Sequence, residues 1–383
     1  MERKFRGGMI GGASGSFIGP VHRMAASMDG KAEFAAGAFS RDPEKSAQTG
    51  RDIFLDPDRV YSDYKDMLGK EKVMDGEKAL DFITIVTMNR THFEIATSAL
   101  EAGFHVFCEK PMCFNLEQAQ ELKKTVETTG MVFALSHTYT GYPMVKQARS
   151  MVADGELGSI NKVVVEYPQG WASGMLHQPE GTISGWRMDP EQAGASCCVG
   201  DIGIHAENLA RYITGLEVDE VCAHLSSFIP SNKLEDDANI LLKYKGGAVG
   251  ILYSSQISTG EENGLTIRIY GDKKGLEWRQ EDPNYLIIKD PSGFKTIYSK
   301  GNPVLCEEAR NAGRLPFGHP DGLIESFANL YLEFFRAIEA ANSGADVPDC
   351  DFPTVDDGVT GNAFIETAVE SSKSESKWTK MKG

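Results

Sequence analysis

The chain has 383 residues, of which 41% are hydrophobic and 25% charged, and its formal net charge is −16. This length is enough for two domains with substantial cores, and the composition is that of a water-soluble globular protein. The negative charge opposes binding to phosphate backbones, so we expect no nucleic-acid partner. No apolar run approaches the roughly 20 residues that a membrane-spanning helix needs, so we expect no membrane partner.

Seven cysteines are present without a repeating spacing, and two of them, Cys197 and Cys198, are adjacent. An odd number of thiols in this arrangement predicts neither a disulfide framework nor a zinc site, and we expect no metal. Three of the first six residues are basic, and they run straight into a glycine-rich stretch, without the apolar region of a signal peptide. These features favour a cytoplasmic protein.

A glycine-rich turn follows the first apolar segment. Residues 5–10 are predicted to form a strand, residues 11–19 (GGASGSFIG) a turn, and residues 20–28 a helix with proline in its first turn. Glycine permits a tight turn and a close approach of backbone to phosphate, so this order predicts a dinucleotide site. The strict G-x-G-x-x-G pattern fails at Ala13, and the loop is about three residues longer than usual. The residues expected at the cofactor here are Gly11, Gly12, Ala13, Ser16, Phe17 and Ile18.

The second predicted strand, residues 32–39, ends in Ser40-Arg41-Asp42-Pro43. A dinucleotide fold meets the adenosine ribose at this point, and an acidic residue there would indicate NAD. Ser40 and Arg41 could instead hold a 2′-phosphate, which would indicate NADP, so the choice stays open. Asp42 before Pro43 is also a helix start signal, and both roles can hold together.

Buried strands alternate with helices through the rest of the first half, which predicts a right-handed, doubly wound parallel sheet. The apolar runs are residues 79–87, 105–108 and 132–136. The middle run ends in Glu109-Lys110-Pro111, so it places a lysine at the carboxyl end of a strand, where such sheets bind ligands. A solvated lysine at an ordinary strand end is the alternative.

The second half begins with a helical pattern at residues 143–153 and a strand at 162–167. Residues 169–195 form a long loop rich in Gly, Pro and Ser, with Trp171, His177 and Trp186. Long loops of this kind are usually lids or disordered, and tryptophans in a polar loop suit stacking on a sugar face. Anchoring of the loop on the domain is an equally weighted alternative.

Asp201 and His205 follow on a predicted helix that reaches residue 214. Their spacing of four places them on one helical face, where the carboxylate can orient the imidazole. Taken alone, such a pair is more often a local ion pair or a cap.

From residue 220 to residue 298 the pattern becomes a series of alternating strands, which predicts a large, mostly antiparallel sheet. With helices on only one face, the other face needs a partner, so we expect a homo-oligomer. Helices return at residues 323–341 and 355–371, and the Ser/Lys-rich tail, residues 372–383, is expected to be loosely ordered.

Together these motifs resemble the Gfo/Idh/MocA oxidoreductase family, which includes glucose–fructose oxidoreductase and inositol 2-dehydrogenase. The resemblance covers nearly the whole chain and departs from the family in the longer glycine loop and at Met88, where the family usually has proline. Cys108-Glu109-Lys110-Pro111 is its most specific part. The other matching motifs are Gly11-Gly12-Ala13 with Gly19-Pro20-Val21-His22, Ser40-Arg41-Asp42-Pro43, and Thr87-Met88-Asn89 with His92.

This resemblance implies an α/β protein with a Rossmann domain over residues 1–140 and an α+β domain for substrate binding and oligomerisation over residues 141–383. It implies that Lys110, Asp201 and His205 form one catalytic cluster at the domain interface. Beyond the glycine turn, the expected cofactor-binding residues are Ser40, Arg41, Thr87, Asn89, His92, Glu109 and Lys110. The expected substrate-binding residues are Tyr139, Tyr142, Trp171, His177, Trp186, Asp201 and His205.

The expected activity is NAD(P)-dependent hydride transfer to or from a secondary hydroxyl of a sugar or glycoside. His205 would be the general base tuned by Asp201, and Lys110 would polarise the developing carbonyl. A hexose ring is preferred to a hydroxy acid, because segments 137–144 and 169–187 offer aromatic side chains but only one arginine. The resemblance implies oxidation of a glucoside at ring carbon 3, because the family includes bacterial enzymes that oxidise glycosides at that carbon. The alternatives are an inositol dehydrogenase, a glycoside-cleaving enzyme that uses bound NAD by transient oxidation, and a non-catalytic dinucleotide sensor.

Overall fold

The computed structural model of the chain describes residues 3–177, 179, 185–230, 232–345 and 350–383. It divides into two compact units. The first consists of Met1–Thr138 and Leu323–Val359, and the second of Tyr139–Gly322 and Thr360–Gly383. The predicted division at residue 140 therefore needs correction, because the chain returns to the first unit at Leu323. Hydrophobic periodicity identifies such a returning helix but does not say which sheet it covers.

The described helices and strands match the predicted order closely. The α-helices are α1 (Ile18–Ser27), α2 (Pro43–Asp52), α3 (Tyr64–Glu71), α4 (Asn89–Glu101), α5 (Leu116–Thr129), α6 (Pro143–Ala153), α7 (Pro190–Ala193), α8 (Ile204–Thr214), α9 (Glu307–Ala312), α10 (Leu323–Ser343) and α11 (Val355–Lys373). The strands are β1 (Phe5–Gly11), β2 (Ala32–Ala38), β3 (Phe82–Val86), β4 (His105–Cys108), β5 (Phe133–Leu135), β6 (Ile160–Pro168), β7 (Val218–Ser226), β8 (Asp237–Tyr244), β9 (Val249–Ser255), β10 (Thr266–Gly271), β11 (Gly275–Arg279), β12 (Tyr285–Lys289), β13 (Lys295–Ser299) and β14 (Thr379–Lys380).

The first unit contains a five-stranded parallel sheet in the order β2-β1-β3-β4-β5, which confirms the predicted doubly wound fold. All five residues of β3 are buried, as expected for a parallel strand that is covered on both faces. Helix α10 supplies aromatic side chains to one of these layers: Tyr331 stacks on Phe107 with ring centroids 4.1 Å apart, and Phe335 stacks on Phe5 at 4.6 Å. The returning helix thus completes the core of the first unit.

The second unit contains a nine-stranded sheet in the order β13-β12-β11-β10-β6-β9-β8-β7-β14. Only β6 and β9 pair in parallel, so the sheet is mostly antiparallel, as predicted. Burial alternates along its strands, and α6 and α8 pack against the sheet. The opposite set of side chains includes a cross-strand row of Leu241, Ile251 and Val164, in which Leu241 is 47% exposed. We call the surface formed by this set the open face.

Three local features depart from the predictions. The tail is not loosely ordered throughout, since β14 pairs with β7, and Lys380 Nζ lies 2.9 Å from Asp219 Oδ2. An edge strand offers unpaired backbone groups, and the tail satisfies some of them. The long loop contains short helical segments at Ser173–His177, Trp186–Met188 and α7, while residues 178 and 180–184 lie outside the described part of the chain. Finally, a π-helical turn, Val199–Gly203, precedes α8.

Within the described ranges, no helix is both long enough and apolar enough to cross a membrane.

Candidate active site

The glycine turn of the first unit is built by close backbone packing. Gly11 and Gly12 have φ values of 84° and 72°, a region that side chains with a Cβ rarely adopt. A Cβ on Gly19 would lie 2.5 Å from the Cα of Gly12, so both positions need glycine for the turn to meet α1. Gly15, with φ of 90°, has no atom within 4 Å of such a Cβ, so this side of the turn is open. The turn therefore fits the close backbone approach that a dinucleotide pyrophosphate requires.

The start of α1 is also suited to an anion. Its N-cap residue is Phe17, which makes no side-chain capping bond and is 75% exposed. Ser16 Oγ accepts a hydrogen bond from the Gly19 amide at 3.3 Å, and Ile18 is half-buried behind it. An exposed aromatic ring at the start of a helix whose N-cap side chain makes no capping bond is consistent with the predicted cofactor contact at this turn.

Several polar side chains hold the glycine turn in place. The guanidinium of Arg23 donates to the Gly12 carbonyl at 3.1 Å. The Ser14 amide donates to Thr49 Oγ1 at 3.0 Å, and Ser14 Oγ donates to Asp52 Oδ2 at 2.7 Å. Sequence reasoning missed these supports, because Thr49 and Asp52 lie on α2, more than 30 residues along the chain. They brace the part of the loop that is longer than usual.

At the end of β2, the structure separates two roles that the sequence assigned to the same segment, contact with the adenosine ribose and capping of the next helix. The carboxylate of Asp42 accepts from the amides of Glu44 at 3.0 Å and Lys45 at 3.4 Å, so it caps α2. Ser40 Oγ accepts from the Asp42 amide at 3.1 Å, and Arg41 is exposed. Asp42 is therefore engaged with the helix, and Ser40 and Arg41 are the residues available to a ribose or its phosphate.

Glu109, predicted as a cofactor contact, is a buried anchor. Its Oε1 accepts from His22 Nε2 at 2.9 Å and from Ser136 Oγ at 2.8 Å, and its Oε2 accepts from the Lys110 amide at 3.1 Å. Burial alone would raise the pKa of Glu109, but the hydrogen bond from His22, the charge of Lys110 and the hydrogen bond from Ser136 together hold it below its ordinary value. The ionised carboxylate thus fixes the backbone from which the half-buried Lys110 extends.

His92, also predicted to contact the cofactor, has no exposed surface. Its two ring nitrogens lie 2.8 Å from the Pro111 carbonyl oxygen and 3.1 Å from that of Thr87. Burial lowers the pKa of His92, while the hydrogen bonds to the two carbonyls oppose that shift. The ring lies between the loop after β3 and the loop after β4, where it can hold both loops in position, and its contact with a cofactor stays a prediction. Asn89 is buried at the start of α4, and Thr87, which accepts a hydrogen bond from Thr91 Oγ1 at 2.8 Å, is half-buried before it.

In the second unit, Asp201 lies in the π-helical turn and His205 lies in the first turn of α8. Asp201 Oδ2 accepts from Gln256 Nε2 at 2.9 Å and lies 3.4 Å from Arg187 Nε. The Asp201 side chain is 19% exposed, and His205 is 7% exposed. π-helical turns occur frequently at functional sites, and here the turn carries the carboxylate that the sequence singled out.

Two tyrosines pack against the imidazole. The rings of Tyr139 and His205 meet edge to face with centroids 4.9 Å apart, and the ring of Tyr167 lies 6.4 Å away. The Tyr139 and Tyr167 hydroxyls bond to each other, and Tyr167 also donates to Asn263 Oδ1 at 2.8 Å. Asn263 in turn contacts Gln169 and Gln280. Hydrogen bonds to hydroxyl and amide groups therefore hold the two tyrosines that pack against His205.

The predicted substrate-binding residues separate into three groups. Tyr142 is 1% exposed and packs on Trp278 with centroids 5.4 Å apart, so we correct its role to core packing. Trp171 is 48% exposed, and His177 is also exposed, so both can meet a ligand. Trp186 is half-buried, and the Arg187 guanidinium lies 4.6 Å from its ring centroid, so one ring face is occupied.

Sequence reasoning missed Gln256, Tyr167 and Asn263. Gln256 had a usable signal: it shares the alternation of the buried residues Leu252 and Ser254, which predicts a buried polar side chain at a strand end. Among the described residues, no group of three or more His, Cys, Asp and Glu side chains could hold a metal ion.

Comparison with known proteins agrees with this geometry. Residues 5–137 match the oxidoreductase family with an NAD-binding Rossmann fold, and residues 145–277 match the GFO/IDH/MocA C-terminal domain. The oxidoreductase YfiI of Bacillus subtilis (strain 168), itself uncharacterised, is 34% identical over 100% of this chain and 98% of its own length. The D-glucoside 3-dehydrogenase of Escherichia coli (strain K12) is 27% identical over 54% of this chain and 63% of its own.

Among solved structures, an inositol dehydrogenase homolog from Azotobacter vinelandii, crystallised with NADH and myo-inositol, matches with a TM-score of 0.92. It is 34% identical, and the match covers 99% of this chain and 98% of the other. The glycine turn, the Glu109–Lys110 strand end and the Asp201–His205 helix thus occur in a chain that belongs to the Gfo/Idh/MocA family of NAD-binding oxidoreductases.

Proposed function

We propose that this enzyme oxidises a secondary hydroxyl of a cyclic polyol, with NAD as the hydride acceptor. The observation that carries the proposal is the arrangement of Asp201 and His205. The carboxylate is held by Gln256 and Arg187, one helical turn before an imidazole that two tyrosines hold in place. Such a pair suits general-base removal of a hydroxyl proton.

In this proposal each residue has a separate task. When bound, the nicotinamide accepts the hydride, which is chemistry that the cofactor itself supplies. His205 takes the hydroxyl proton on a ring nitrogen, and the negative charge of Asp201 stabilises the imidazolium that results. Lys110, whose backbone Glu109 fixes, stabilises negative charge on the substrate oxygen as the carbonyl forms.

The preferred substrate is a glucoside that is oxidised at ring carbon 3. A hydroxy acid would need an arginine fork for its carboxylate, but Arg187 is already engaged by Asp201 and by the ring of Trp186. The exposed ring of Trp171 offers a surface for the face of a sugar ring. Similarity to the D-glucoside 3-dehydrogenase supports the same position on the ring.

Myo-inositol is the second candidate, because the Azotobacter vinelandii homolog was crystallised with it and is similar over nearly its whole length. A cyclitol presents the same kind of ring hydroxyls without an aglycone. An enzyme that cleaves a glycosidic bond by transient oxidation would differ from both dehydrogenases, because it would need no added NAD.

The deciding experiment measures NADH formation by the purified enzyme with methyl β-glucoside, glucose and myo-inositol, and identifies the product by NMR. We expect the glucoside to give the highest kcat/KM and a 3-keto product. A clear preference for myo-inositol would favour the cyclitol dehydrogenase, and reduction of NAD by a 2-hydroxy acid alone would refute both. Parallel assays with NADP test whether exposed Arg41 admits a 2′-phosphate.

The role of Lys110 is tested by Lys110→Ala, which should lower kcat by roughly 100-fold while NAD affinity is retained. The matched control is Lys124→Ala, which removes an exposed lysine from α5 and should leave turnover unchanged. Near-wild-type turnover of the Lys110 variant would remove it from the mechanism.

We propose further that the open face of the nine-stranded sheet binds a second copy of the chain. Leu241 and Val249 on this face are 47% and 41% exposed, which is unusual for apolar residues in the middle of a sheet. Leu241→Glu should therefore lower the molar mass in light scattering, whereas Val73→Glu, at a 74% exposed position in the first unit, should not. An unchanged mass for the Leu241 variant would contradict this interface.

We also place the enzyme in a reducing compartment, the cytoplasm, because all seven cysteines are free thiols and four of them are buried. Thiol titration of the denatured protein, without reductant, should find seven thiols per chain. A lower number would point to oxidised cysteines.

A further inference from the structure

The buried side-chain amide of Gln256 has two side-chain partners, Asp201 and Cys197. Gln256 follows β9 and has no exposed surface. Its Nε2 donates to Asp201 Oδ2 at 2.9 Å, and its Oε1 accepts from the thiol of Cys197 at 3.2 Å. Gln256 therefore joins the π-helical turn that carries Asp201 to the end of β9.

The chemistry of the two partners determines which way the amide points. A carboxylate only accepts hydrogen bonds when ionised, so Asp201 needs the NH₂ group of Gln256. Burial raises the pKa of Cys197, with added effect from the charge of Asp201, so its sulfur stays protonated and donates to the amide oxygen. The opposite amide orientation would place two acceptors against each other and two donors against each other.

The backbone of Gln256 is fixed as firmly as its side chain. Its amide donates to the Asp236 carbonyl at 2.9 Å, and its carbonyl accepts from the Ala172 amide at 3.0 Å. The first of these bonds continues the pairing of β8 with β9, and the second ties down the start of the long loop. The amide group is thus held in place before any substrate binds, which is the condition for electrostatic preorganisation.

Arg187, the other described partner of the Asp201 carboxylate, makes a weaker contact. Arg187 lies 3.4 Å away, but its side chain is 45% exposed, so water screens it. The described ionisable groups on which the charge of Asp201 acts include Tyr167 on β6 and Cys197 before the π-helical turn, and Glu235 and Asp236 act on Cys197 as well. His205 follows four positions later, in the first turn of α8. Gln256 is the buried neutral donor within this set.

We propose that Gln256 is a positioning residue for the reaction: it holds Asp201 ionised and aimed, and so sets the pH range in which His205 can act as a base. This inference rests on the roles proposed for Asp201 and His205. A hydrogen bond to the charged form of an acid favours that form, so its loss makes the acid titrate at higher pH.

The test compares Gln256→Met with a matched variant, Gln147→Met. Gln147 is also buried, and its Oε1 accepts from the Cys306 amide at 2.7 Å, so the control loses a buried amide far from Asp201 in sequence. We expect Gln256→Met to lower kcat by roughly 10- to 100-fold, in line with the loss of a hydrogen bond to a charged group. The acidic limb of its kcat/KM profile should move to higher pH, with the KM for NAD unchanged.

Three further measurements keep the inference falsifiable. Cys197→Ala should shift the acidic limb in the same direction but less, because it removes only the outer partner. Gln256→Glu, which keeps the shape of the side chain, serves if the Met variant does not fold, and it should shift the limb at least as far. Combining Gln256→Met with Asp201→Asn should give less than the product of the two separate losses, because both act through one carboxylate.

The outcomes separate this inference from the proposed function. If Asp201→Asn has wild-type turnover, the proposed function of Asp201 fails. If Asp201→Asn is impaired but both Gln256 variants keep the wild-type pH profile, or shift it no more than Gln147→Met does, then only the positioning role of Gln256 is overturned.

Discussion

Two histidines of this protein lie close in sequence or in space to a carboxylate, and the two pairs differ in what surrounds them. His22 is completely buried, and its ring bonds to Glu109 and to the Tyr331 hydroxyl at 2.8 Å. His205 follows Asp201 by one turn, and that carboxylate is 19% exposed. The first pair is a closed network within its unit. In the second pair the carboxylate is more exposed, at 19% of its side chain against 11% for Glu109, while Gln256 and Arg187 fix its direction.

The comparison shows that residue types alone do not define an acid–base site. Glu109 is enclosed by donors from His22, Ser136 and the Lys110 backbone, so its charge is used within the fold. Asp201 is held by a buried amide on one side and a half-exposed guanidinium on the other. The donors that surround each carboxylate, not the presence of an imidazole and a carboxylate, distinguish the two pairs.

The largest expected effect is the loss of turnover when the Asp201–His205 pair is broken. His205→Asn should lower kcat by roughly 100-fold or more, because a general base contributes on that order, while NAD binding and the melting temperature change little. Steady-state kinetics and NAD titration provide the measurement. His224→Asn, at an exposed histidine of β7 in the same unit, should lose far less. Equal losses of kcat in the two variants would show that His205 has no special role in turnover.

Breaking the His22–Glu109 pair should lower the stability of the fold. His22→Phe leaves the Glu109 carboxylate buried without its ring partner, which should lower the free energy of unfolding by about 3 kcal/mol. His105→Phe is the control: His105 is buried too, but its hydrogen-bond partners, the Val132 amide at 2.9 Å and the Asn342 side chain, are neutral, so the loss should be smaller, about 1–2 kcal/mol. Chemical denaturation measures both. Similar losses would show that Glu109 does not depend on His22.

Acid should weaken the closed pair in a defined pH range. The pKa of Glu109 in the folded protein lies below its ordinary value of 4.5, so its ionised form stabilises the fold above pH 4.5. That contribution is lost as the pH falls through the lower folded value. The melting temperature of the wild type should therefore exceed that of Glu109→Gln by a constant margin near neutrality and by a shrinking margin below pH 4.5. A margin that widens in acid would contradict this account.

The smallest effect extends the comparison to an exposed carboxylate. The hydrogen bond from Ser14, followed by that from Gln48, lowers the pKa of Asp52, but water surrounds the group. Asp52→Ala should loosen the glycine turn and raise the KM for NAD roughly threefold, with kcat unchanged, since exposed pairs are weak. Glu44→Gln, at another exposed acid on α2, should not change the KM for NAD. A fall in kcat would indicate a role beyond holding the turn.

Much of the first unit could be predicted because its signals are local. The bounds of β4 agree with the predicted ones, since a continuous apolar run is read from neighbouring residues. The glycine turn is likewise encoded by residues that only a backbone with positive φ requires. Met88, at a position where the family usually has proline, directly precedes α4 as its N-cap residue.

The second unit was predicted less completely because its site depends on distant residues. Asp201 and Gln256 are 55 positions apart, and Tyr139 and Asn263 are 124 apart, so no local pattern joins them. Tyr142 was predicted to face a ligand, but its hydrophobic ring packs on Trp278, because aromatic residues near a site are as often part of the core.

By itself, the sequence determined the order of strands and helices, the glycine turn, the lysine at the end of β4 and the Asp201–His205 spacing. Each of these depends on the conformational preference or periodicity of adjacent residues. Only the tertiary structure decided that Glu109 and His92 are buried, that α10 belongs to the first unit and that Gln256 faces Asp201. Those outcomes depend on desolvation and on hydrogen bonds between residues that folding alone brings together.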